Sequence, residues 1–229
     1  MVHFLKKVLE ERYDGICISP IADLRVEKLL QKMAEKGVEV IFILSAFDSV
    51  PYRTLIGTDS YQCGRSTGEA VREALGADGA VGIIKWKDNL IETVEDRYHG
   101  VVDVLKENRI PYYDMTGPGE PTAEEATKLT DRLLTEHPDI SVLCATNGGW
   151  GLAFARYLKS KGKKVKLVTV DFTDEVGEFM KAGYVDAAIA QRPESWGSMT
   201  LEKIEAVFEG QSIPLSLIHI SEPTRPEPI

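Results

Sequence analysis

Residues 141–147 (SVLCATN) and 166–171 (KLVTVD) are two short runs rich in Val and Leu, and each ends at a polar side chain. The polar residues are Asn147 and Asp171, and one helix-length segment separates the two runs. In an open sheet of parallel strands, this spacing sets both side chains at the carboxyl ends of neighbouring strands, where such sheets bind small ligands. The sequence therefore predicts a small-molecule site that includes these two residues.

Strand-like and helix-like segments alternate along the chain on both sides of this pair. We expect strands at 15–19, 38–44, 54–58, 80–84, 111–115, 141–146, 166–170 and 186–190. We expect helices at 2–12, 24–36, 60–75, 93–107, 122–136, 149–160, 174–181 and 194–209. This alternation predicts an α/β fold with parallel, doubly wound sheets and right-handed crossovers.

The size and composition indicate a globular protein without a large nucleic-acid surface. The chain has 229 residues, of which 43% are hydrophobic and 28% are charged, and its formal net charge is -9. A phosphate-binding surface needs concentrated Lys and Arg, so we expect no direct nucleic-acid contact by these residues. No apolar run approaches the roughly 20 residues that span a bilayer, and residues 1–15 do not have the pattern of a signal peptide.

The sequence offers little support for catalysis or for a metal site. The histidines form no HExxH or comparable pattern, and GxSxG and Walker motifs are absent; they are His3, His99, His137 and His219. The cysteines Cys17, Cys63 and Cys144 are odd in number and lack CxxC spacing. Cys17 and Cys144 lie inside strand-like runs, so we expect buried thiols, which favour a reducing compartment. We expect neither an enzyme nor a cofactor.

The last fifteen residues, 215–229 (LSLIHISEPTRPEPI), break the alternating pattern. Pro223, Pro226 and Pro228 fall within the final seven positions, and each proline lacks the backbone donor that a helix or a central strand needs. We therefore expect an irregular tail. The sequence of this tail also resembles a translated sequencing adaptor, so the tail is a candidate for a non-native segment.

Six segments together resemble one known family. They are DGICISPIAD (14–23), LIGTDSYQCGRSTGEAV (55–71), VEDRYHGVVDVL (94–105), LLTEHPDISVLCATNGG (133–149), VTVDFT (168–173) and YVDAAIAQRPESWG (184–197). In this order they resemble the type I periplasmic-binding-protein fold, over about residues 1–214. Sugar-binding proteins of ABC transporters and effector domains of LacI-type regulators share this fold.

The resemblance implies two Rossmann-like lobes around a ligand cleft. Residues 1–59 would form the first lobe, 60–191 the second, and 192–214 a helix returning to the first, followed by the tail at 215–229. It also implies that the first strand before Met1 and the final crossing beyond about Pro214 are missing, so that the fold is truncated at both ends.

The resemblance also implies ligand contacts at strand ends. Asn147, Asp171 and Gln191 match polar cleft positions of the family, and Ser19 lies at the equivalent edge of the first lobe. Each has a structural alternative. Asn147 could be a left-handed turn residue, Asp171 could cap the following helix, Gln191 could be a surface amide, and Ser19 could cap a turn.

The chain departs from the better-known sugar binders at two places. It has Leu44 and Ser45 where they often carry an Asp-Arg pair, and Glu95 where they usually carry an arginine. Ser45 and Glu95 remain candidate ligand residues, and Glu95 favours a ligand with donors or positive charge unless it is an exposed helix carboxylate.

Aromatic and basic residues near the strand ends are further candidates. Trp86 and Trp150 could stack on a sugar ring or pack against the protein. Arg97 is expected to form a helix ion pair with nearby carboxylates rather than a ligand contact.

The function that this resemblance favours is a substrate-binding protein of an ABC importer, with a sugar or a similar small polar solute as ligand and a membrane permease as partner. The expected location is then periplasmic, or extracellular with a lipid anchor. The alternative is the ligand-binding effector domain of a LacI-type transcription regulator, which would be cytoplasmic.

Overall fold

The computed structural model describes residues 1–76, 78–86, 92–219 and 223–224. The strands are β1 Gly15–Ile18, β2 Glu39–Ile43, β3 Thr54–Thr58, β4 Ala80–Trp86, β5 Tyr112–Gly117, β6 Ile140–Ala145, β7 Lys166–Val170, β8 Ala187–Ile189, β9 Ser216–His219 and β10 Pro223–Thr224. The α-helices are α1 Val2–Glu11, α2 Leu24–Glu35, α3 Ser60–Leu75, α4 Glu92–Glu107, α5 Ala123–Glu136, α6 Gly148–Lys161, α7 Asp174–Lys181 and α8 Trp196–Phe208.

These elements form two compact units. The first unit contains Met1–Thr58 and Arg192–His219, and the second contains Asp59–Gln191 together with β10. No helix in the described part of the chain is both long and apolar enough to cross a membrane.

The first unit is built on a parallel four-stranded sheet with the order β1-β2-β3-β9. Its core is closed by the apolar faces of α1 and α2, whose Leu5, Leu30 and Met33 are fully buried against the sheet residues Val40 and Phe42. α2 begins where expected, because the Asp23 side chain accepts from the backbone N–H of Arg25 at 2.8 Å.

The tail is not irregular throughout. Ser216–His219 forms β9, which pairs in parallel with β3, and Pro223–Thr224 pairs antiparallel with β8. The prediction of an irregular tail is therefore wrong for these residues. Residues 215–220 contain no proline, so every residue of β9 has the backbone donor that a sheet needs. Residues 220–222 and 225–229 lie outside the described part of the chain.

The second unit is a six-stranded sheet with the order β10-β8-β7-β6-β4-β5, and all pairs except β10 with β8 are parallel. Helices cover both faces. One face packs on α3 and α4, through a buried cluster that includes Val71, Val101 and Leu105. The other packs on α5, α6 and α7, through a cluster that includes Leu133 and Phe154. This is the expected parallel, doubly wound α/β architecture.

Side-chain caps define the starts of three helices of this unit. Thr122 and Glu125 form a capping box at α5, in which each side chain accepts from the other residue's backbone N–H. Thr173 caps α7 by accepting from the backbone N–H of Val176 at 3.2 Å. Asp59 caps α3. These caps satisfy backbone donors that the first turn of a helix leaves unpaired.

The helices α3 and α4 touch backbone to backbone at two glycines. A Cβ atom on Gly64 would lie 2.2 Å from the carbonyl oxygen of Arg97, and one on Gly100 would lie 2.2 Å from that of Tyr61. Real Cβ contacts are longer than this, so only glycine permits the close crossing. The crossing determines where α4 lies over the sheet.

We expect Gly100→Ala to lower the free energy of unfolding by about 1–3 kcal/mol, because the added methyl group forces α3 and α4 apart. Gly197→Ala in α8 is the matched control, since a Cβ there meets nothing within 4 Å, and a helical alanine is favoured over glycine by about 1 kcal/mol. Chemical denaturation of the two variants measures both effects. Equal stability of both variants would contradict the close-crossing account.

We expect Cys63 and Cys144 to resist thiol reagents in the native protein. Both side chains are fully buried, and burial raises the pKa of the Cys144 thiol to about 12, so almost no reactive thiolate exists at neutral pH. A thiol-reactive chromophore should label them only after denaturation. Rapid native labelling of either residue would show that the second unit opens readily.

Candidate functional site

Three polar side chains follow three adjacent strands of the second unit at the same edge of its sheet. Asp171 follows β7 directly, whereas Asn147 and Gln191 each lie two residues beyond the ends of β6 and β8. Because β6, β7 and β8 are adjacent and parallel, their carboxyl ends lie side by side. The structure thus brings together three of the residues that the sequence singled out.

The Asp171 carboxylate is held by two neutral donors. Its Oδ1 accepts from Nε2 of Gln191 at 2.5 Å, and its Oδ2 accepts from the backbone N–H of Gly148 at 3.1 Å. Gly148 is the first residue of α6, so the carboxylate lies at the positive end of that helix. Thr173, not Asp171, caps the helix that follows β7. The capping alternative for Asp171 is therefore wrong for α7.

Asn147 combines a structural contact with an unused donor. Its Oδ1 accepts from the backbone N–H of Trp150 at 3.0 Å and so caps α6. The side chain is only 8% exposed, and no described residue accepts a hydrogen bond from its Nδ2. Its backbone is extended, with φ -151°, so the left-handed turn alternative is wrong. A buried N–H without a partner costs free energy that a ligand acceptor can recover.

Arg97 contacts this group of side chains, contrary to the expected helix ion pair. Its Nη1 donates to the carbonyl oxygen of Thr146 at 3.2 Å, and its Nη2 donates to Oε1 of Gln191 at 3.4 Å. The side chain is 5% exposed, and within the described ranges its Nε has no hydrogen-bond partner. Arg97 therefore bonds to a backbone carbonyl and an amide beside the strand ends.

The helical periodicity of α4 contained the signal for this position. Val94 and Val101, which lie three residues before and four residues after Arg97, are both buried. Residues at these spacings share one face of a helix, so the buried stripe of α4 includes Arg97. The expected ion pair rested on the carboxylates that neighbour Arg97 in sequence. The contacts of Arg97 instead follow from its place on the buried face of α4.

Glu95 lies in a separate charged group. Its Oε1 is 2.7 Å from Nζ of Lys85 and 3.3 Å from Nε2 of His99. Nζ of Lys85 also lies 4.7 Å above the ring of Tyr98, which donates a hydrogen bond to Asp114. Glu95 is half-buried and paired with a cation, so it is neither an exposed helix carboxylate nor a lone negative charge. Lys85 lies on β4, so the helical pattern around Glu95 gives no signal for this partner.

Burial affects the ionisable groups of α4. It raises the pKa of Asp96, and burial together with the hydrogen bond to Asp114 raises the pKa of Tyr98. The Tyr98 hydroxyl therefore stays protonated and acts as a donor at neutral pH.

In the described part of the chain, no group of three or more His, Cys, Asp or Glu side chains could hold a metal ion.

The two candidate tryptophans pack against the loop after β5. Trp150 is fully buried, its Nε1 donates to the carbonyl oxygen of Pro118 at 2.7 Å, and its ring lies on Gly117. The proposal of Trp150 as a ligand-lining ring is corrected, because a side chain without exposed surface cannot stack on a ligand. Trp86 is half-buried and rests on Gly119. Part of this residue therefore stays accessible.

The serine candidates belong to the first unit. Ser19 follows β1 and is exposed. Ser45 follows β2, is half-buried and donates a hydrogen bond to the carbonyl oxygen of Pro20 at 3.4 Å. Both lie at the carboxyl edge of their own parallel sheet, as expected. The Ser45 hydroxyl is already used in linking two loops of that edge.

The sequence resembles known proteins over most of its length. Residues 1–212 match the family described as "Periplasmic binding protein domain". The ribose import binding protein of Haemophilus influenzae is 27% identical over 216 residues, which cover 90% of this chain and 72% of that protein.

Solved structures with the same fold include transport and regulatory proteins. A solute-binding protein of an ABC transporter from Burkholderia graminis, in complex with D-arabinose, has a TM-score of 0.87 at 21% identity, covering 98% of this chain and 79% of that one. A putative LacI transcriptional regulator from Bacteroides fragilis has a TM-score of 0.86 at 18% identity, with the same coverage.

We expect Asn147→Ala to lower the free energy of unfolding by about 1 kcal/mol, because the substitution removes the cap of α6. Asn147→Ser should cost only a few tenths of a kcal/mol, since a serine hydroxyl caps nearly as well. Denaturant titration of both variants tests this. If serine destabilises the protein as much as alanine does, the contribution of Asn147 to stability is not its cap.

Proposed function

Since this chain belongs to the type I periplasmic binding protein family, we propose that it is a substrate-binding protein of an ABC importer whose ligand is a sugar or a similar small polar solute. The proposal rests mainly on the polar cluster at the carboxyl edge of the second unit, formed by Asn147, Asp171 and Gln191. The ribose import function of the Haemophilus influenzae relative supports a sugar as the ligand.

The cluster has the donors and acceptors that a polyol requires. Asp171 uses one lone pair on each oxygen for Gln191 and Gly148, so each oxygen keeps a further acceptor position. Nδ2 of Asn147 offers N–H donors. A sugar hydroxyl both donates and accepts, so neighbouring hydroxyls can donate to the carboxylate and accept from the amide. The half-buried ring of Trp86 could provide an apolar surface for the C–H face of a sugar.

The charges of the second unit favour a neutral ligand. The one carboxylate of the cluster, Asp171, is accompanied by the buried guanidinium of Arg97. Glu95 is paired with Lys85 at 2.7 Å. Because Arg97 is linked to Asp171 through Gln191 and Glu95 is paired with Lys85, a strongly charged solute would gain little net Coulomb energy from these groups. The pairing of Glu95 thus removes the earlier reason to expect a cationic ligand.

As an import protein, the chain would deliver its ligand to a membrane permease and would work in the periplasm, or outside the cell on a lipid anchor. The matched family and the Haemophilus influenzae relative are both described as binding proteins.

The alternative function is the effector domain of a LacI-type regulator. Cys17, Cys63 and Cys144 form no disulfide bond in the described part of the chain, which favours a reducing compartment such as the cytoplasm. The coding sequence upstream of Met1 distinguishes the two functions. A secretory or lipoprotein signal would support import, whereas a basic helix-turn-helix would support regulation.

We expect calorimetric titration with D-ribose, D-arabinose and other neutral pentoses and hexoses to detect a binding heat for at least one sugar. Asp171→Asn should weaken that binding about 10-fold to 100-fold, because a hydrogen bond to a charged acceptor contributes about 1.5–3 kcal/mol. Asn147→Ser keeps the helix cap and removes the amide donor, so it should weaken binding about 3-fold to 10-fold.

Asn108→Ser provides the matched control for the asparagine substitution. Asn108 follows the end of α4, where its Nδ2 donates to the carbonyl oxygen of Val104 at 2.8 Å, and it is not part of the cluster. Its variant should bind the sugar with unchanged affinity. The proposal fails if the folded protein gives no heat with any sugar, or if all three variants bind alike.

A further inference from the structure

We propose that Arg97 is a positioning residue of the candidate site, which orients the Gln191 amide and thereby holds the Asp171 carboxylate in place as an acceptor without neutralising it. This inference goes beyond the proposed function by assigning a role to a residue that does not itself have to touch the ligand. Only the binding measurement that tests this inference depends on the proposed function.

The bonding requirements of the three side chains permit one orientation of the amide. A guanidinium only donates and an ionised carboxylate only accepts. Gln191 lies between them, with Oε1 at 3.4 Å from Nη2 of Arg97 and Nε2 at 2.5 Å from Oδ1 of Asp171. A flipped amide would place an N–H against the guanidinium and a carbonyl oxygen against the carboxylate. Arg97 therefore selects the orientation in which Gln191 donates to Asp171.

The same chain of bonds keeps the cation away from the carboxylate. Nη1 of Arg97 is engaged by the carbonyl oxygen of Thr146 and Nη2 by Gln191. No salt bridge to Arg97 occurs in the described part of the chain, whereas Asp171 receives its two hydrogen bonds from neutral groups. A direct bidentate Arg–Asp pair would occupy the acceptor positions that a ligand hydroxyl needs. Gln191 separates the two charges and leaves those positions open.

Burial and the helix crossing hold Arg97 in its position. Its side chain is 5% exposed, and its carbonyl group lies against Gly64 of α3, where no Cβ would fit. The backbone of Arg97 is thus fixed by helix packing, and its guanidinium reaches the ends of β6 and β8. Lysine at this position would keep the charge but could not present the planar, two-sided set of donors.

The test uses the ligand-free, full-length chain with ¹⁵N labelling. Two NMR signals report on the hydrogen bonds that link Arg97, Gln191 and Asp171. One is the side-chain NH₂ of Gln191, which is assigned from its absence in Gln191→Met. The other is the backbone amide of Gly148, which donates to Asp171. We expect both to shift in Arg97→Met and in Arg97→Lys by more than in the control Arg132→Met. Arg132 is exposed and forms an i,i+4 pair on α5. Unfolding midpoints show which variants are folded.

The binding readout then separates positioning from general stability. With the sugar that gives the largest heat for the native chain, Arg97→Lys should bind about 10-fold more weakly, while Arg132→Met should bind normally. If the native chain binds no sugar, the proposed function fails, but the two amide signals still decide the role of Arg97.

Three outcomes would overturn the inference. In a folded Arg97→Lys or Arg97→Met variant, the Gln191 and Gly148 signals could stay where they are in the native chain. Arg97→Lys could restore both signals completely, which would mean that charge alone suffices. Finally, the native chain could bind a sugar and a folded Arg97→Lys could bind it equally well. If Arg97→Met does not fold, Arg97→Lys alone carries the test.

Discussion

Parallel pairing of β6, β7 and β8 is the constraint on which the candidate site depends. Val142 pairs with Lys166 and Val168 pairs with Ala187, so the three strands end together. Parallel strands need helical crossovers, and each crossover helix begins at the edge where its strand ends. The same edge therefore collects polar side chains from strand ends and the positive end of α6. Antiparallel pairing would place neighbouring strand ends at opposite edges.

The hydrogen bonds of the cluster stabilise the fold and, in the proposed function, leave polar atoms for a ligand. Asn147 caps α6 through its oxygen and keeps its nitrogen unused, and Asp171 bonds to the first N–H of α6 and to Gln191. These contacts hold the side chains against a helix start, which would lower the ordering cost of the proposed binding. A buried polar group that lacks a hydrogen-bond partner costs free energy. A ligand that satisfies such a group regains that free energy.

Packing at glycine determines how the surrounding elements reach this edge. Gly64 and Gly100 let α3 and α4 meet at backbone distance, and this brings the buried Arg97 to the ends of β6 and β8. On the other face of the sheet, Trp150 lies on Gly117 and bonds to the loop after β5. A residue with a Cβ at Gly64 or Gly100 would push its helix away from the position that the site requires.

The sequence by itself determined the alternation of strands and helices, the caps at Thr122 and Thr173, and the placement of Asn147, Asp171 and Gln191 at strand ends. These features depend on local periodicity and on capping chemistry, which neighbouring residues control. Only the tertiary structure decided that Arg97 contacts Gln191, that Glu95 pairs with Lys85, that Trp150 is buried and that β9 pairs with β3. Each of these contacts joins residues from different elements, and the choice among possible partners depends on how helices cross the sheet. That geometry follows from packing of the whole unit, which no short stretch of sequence contains.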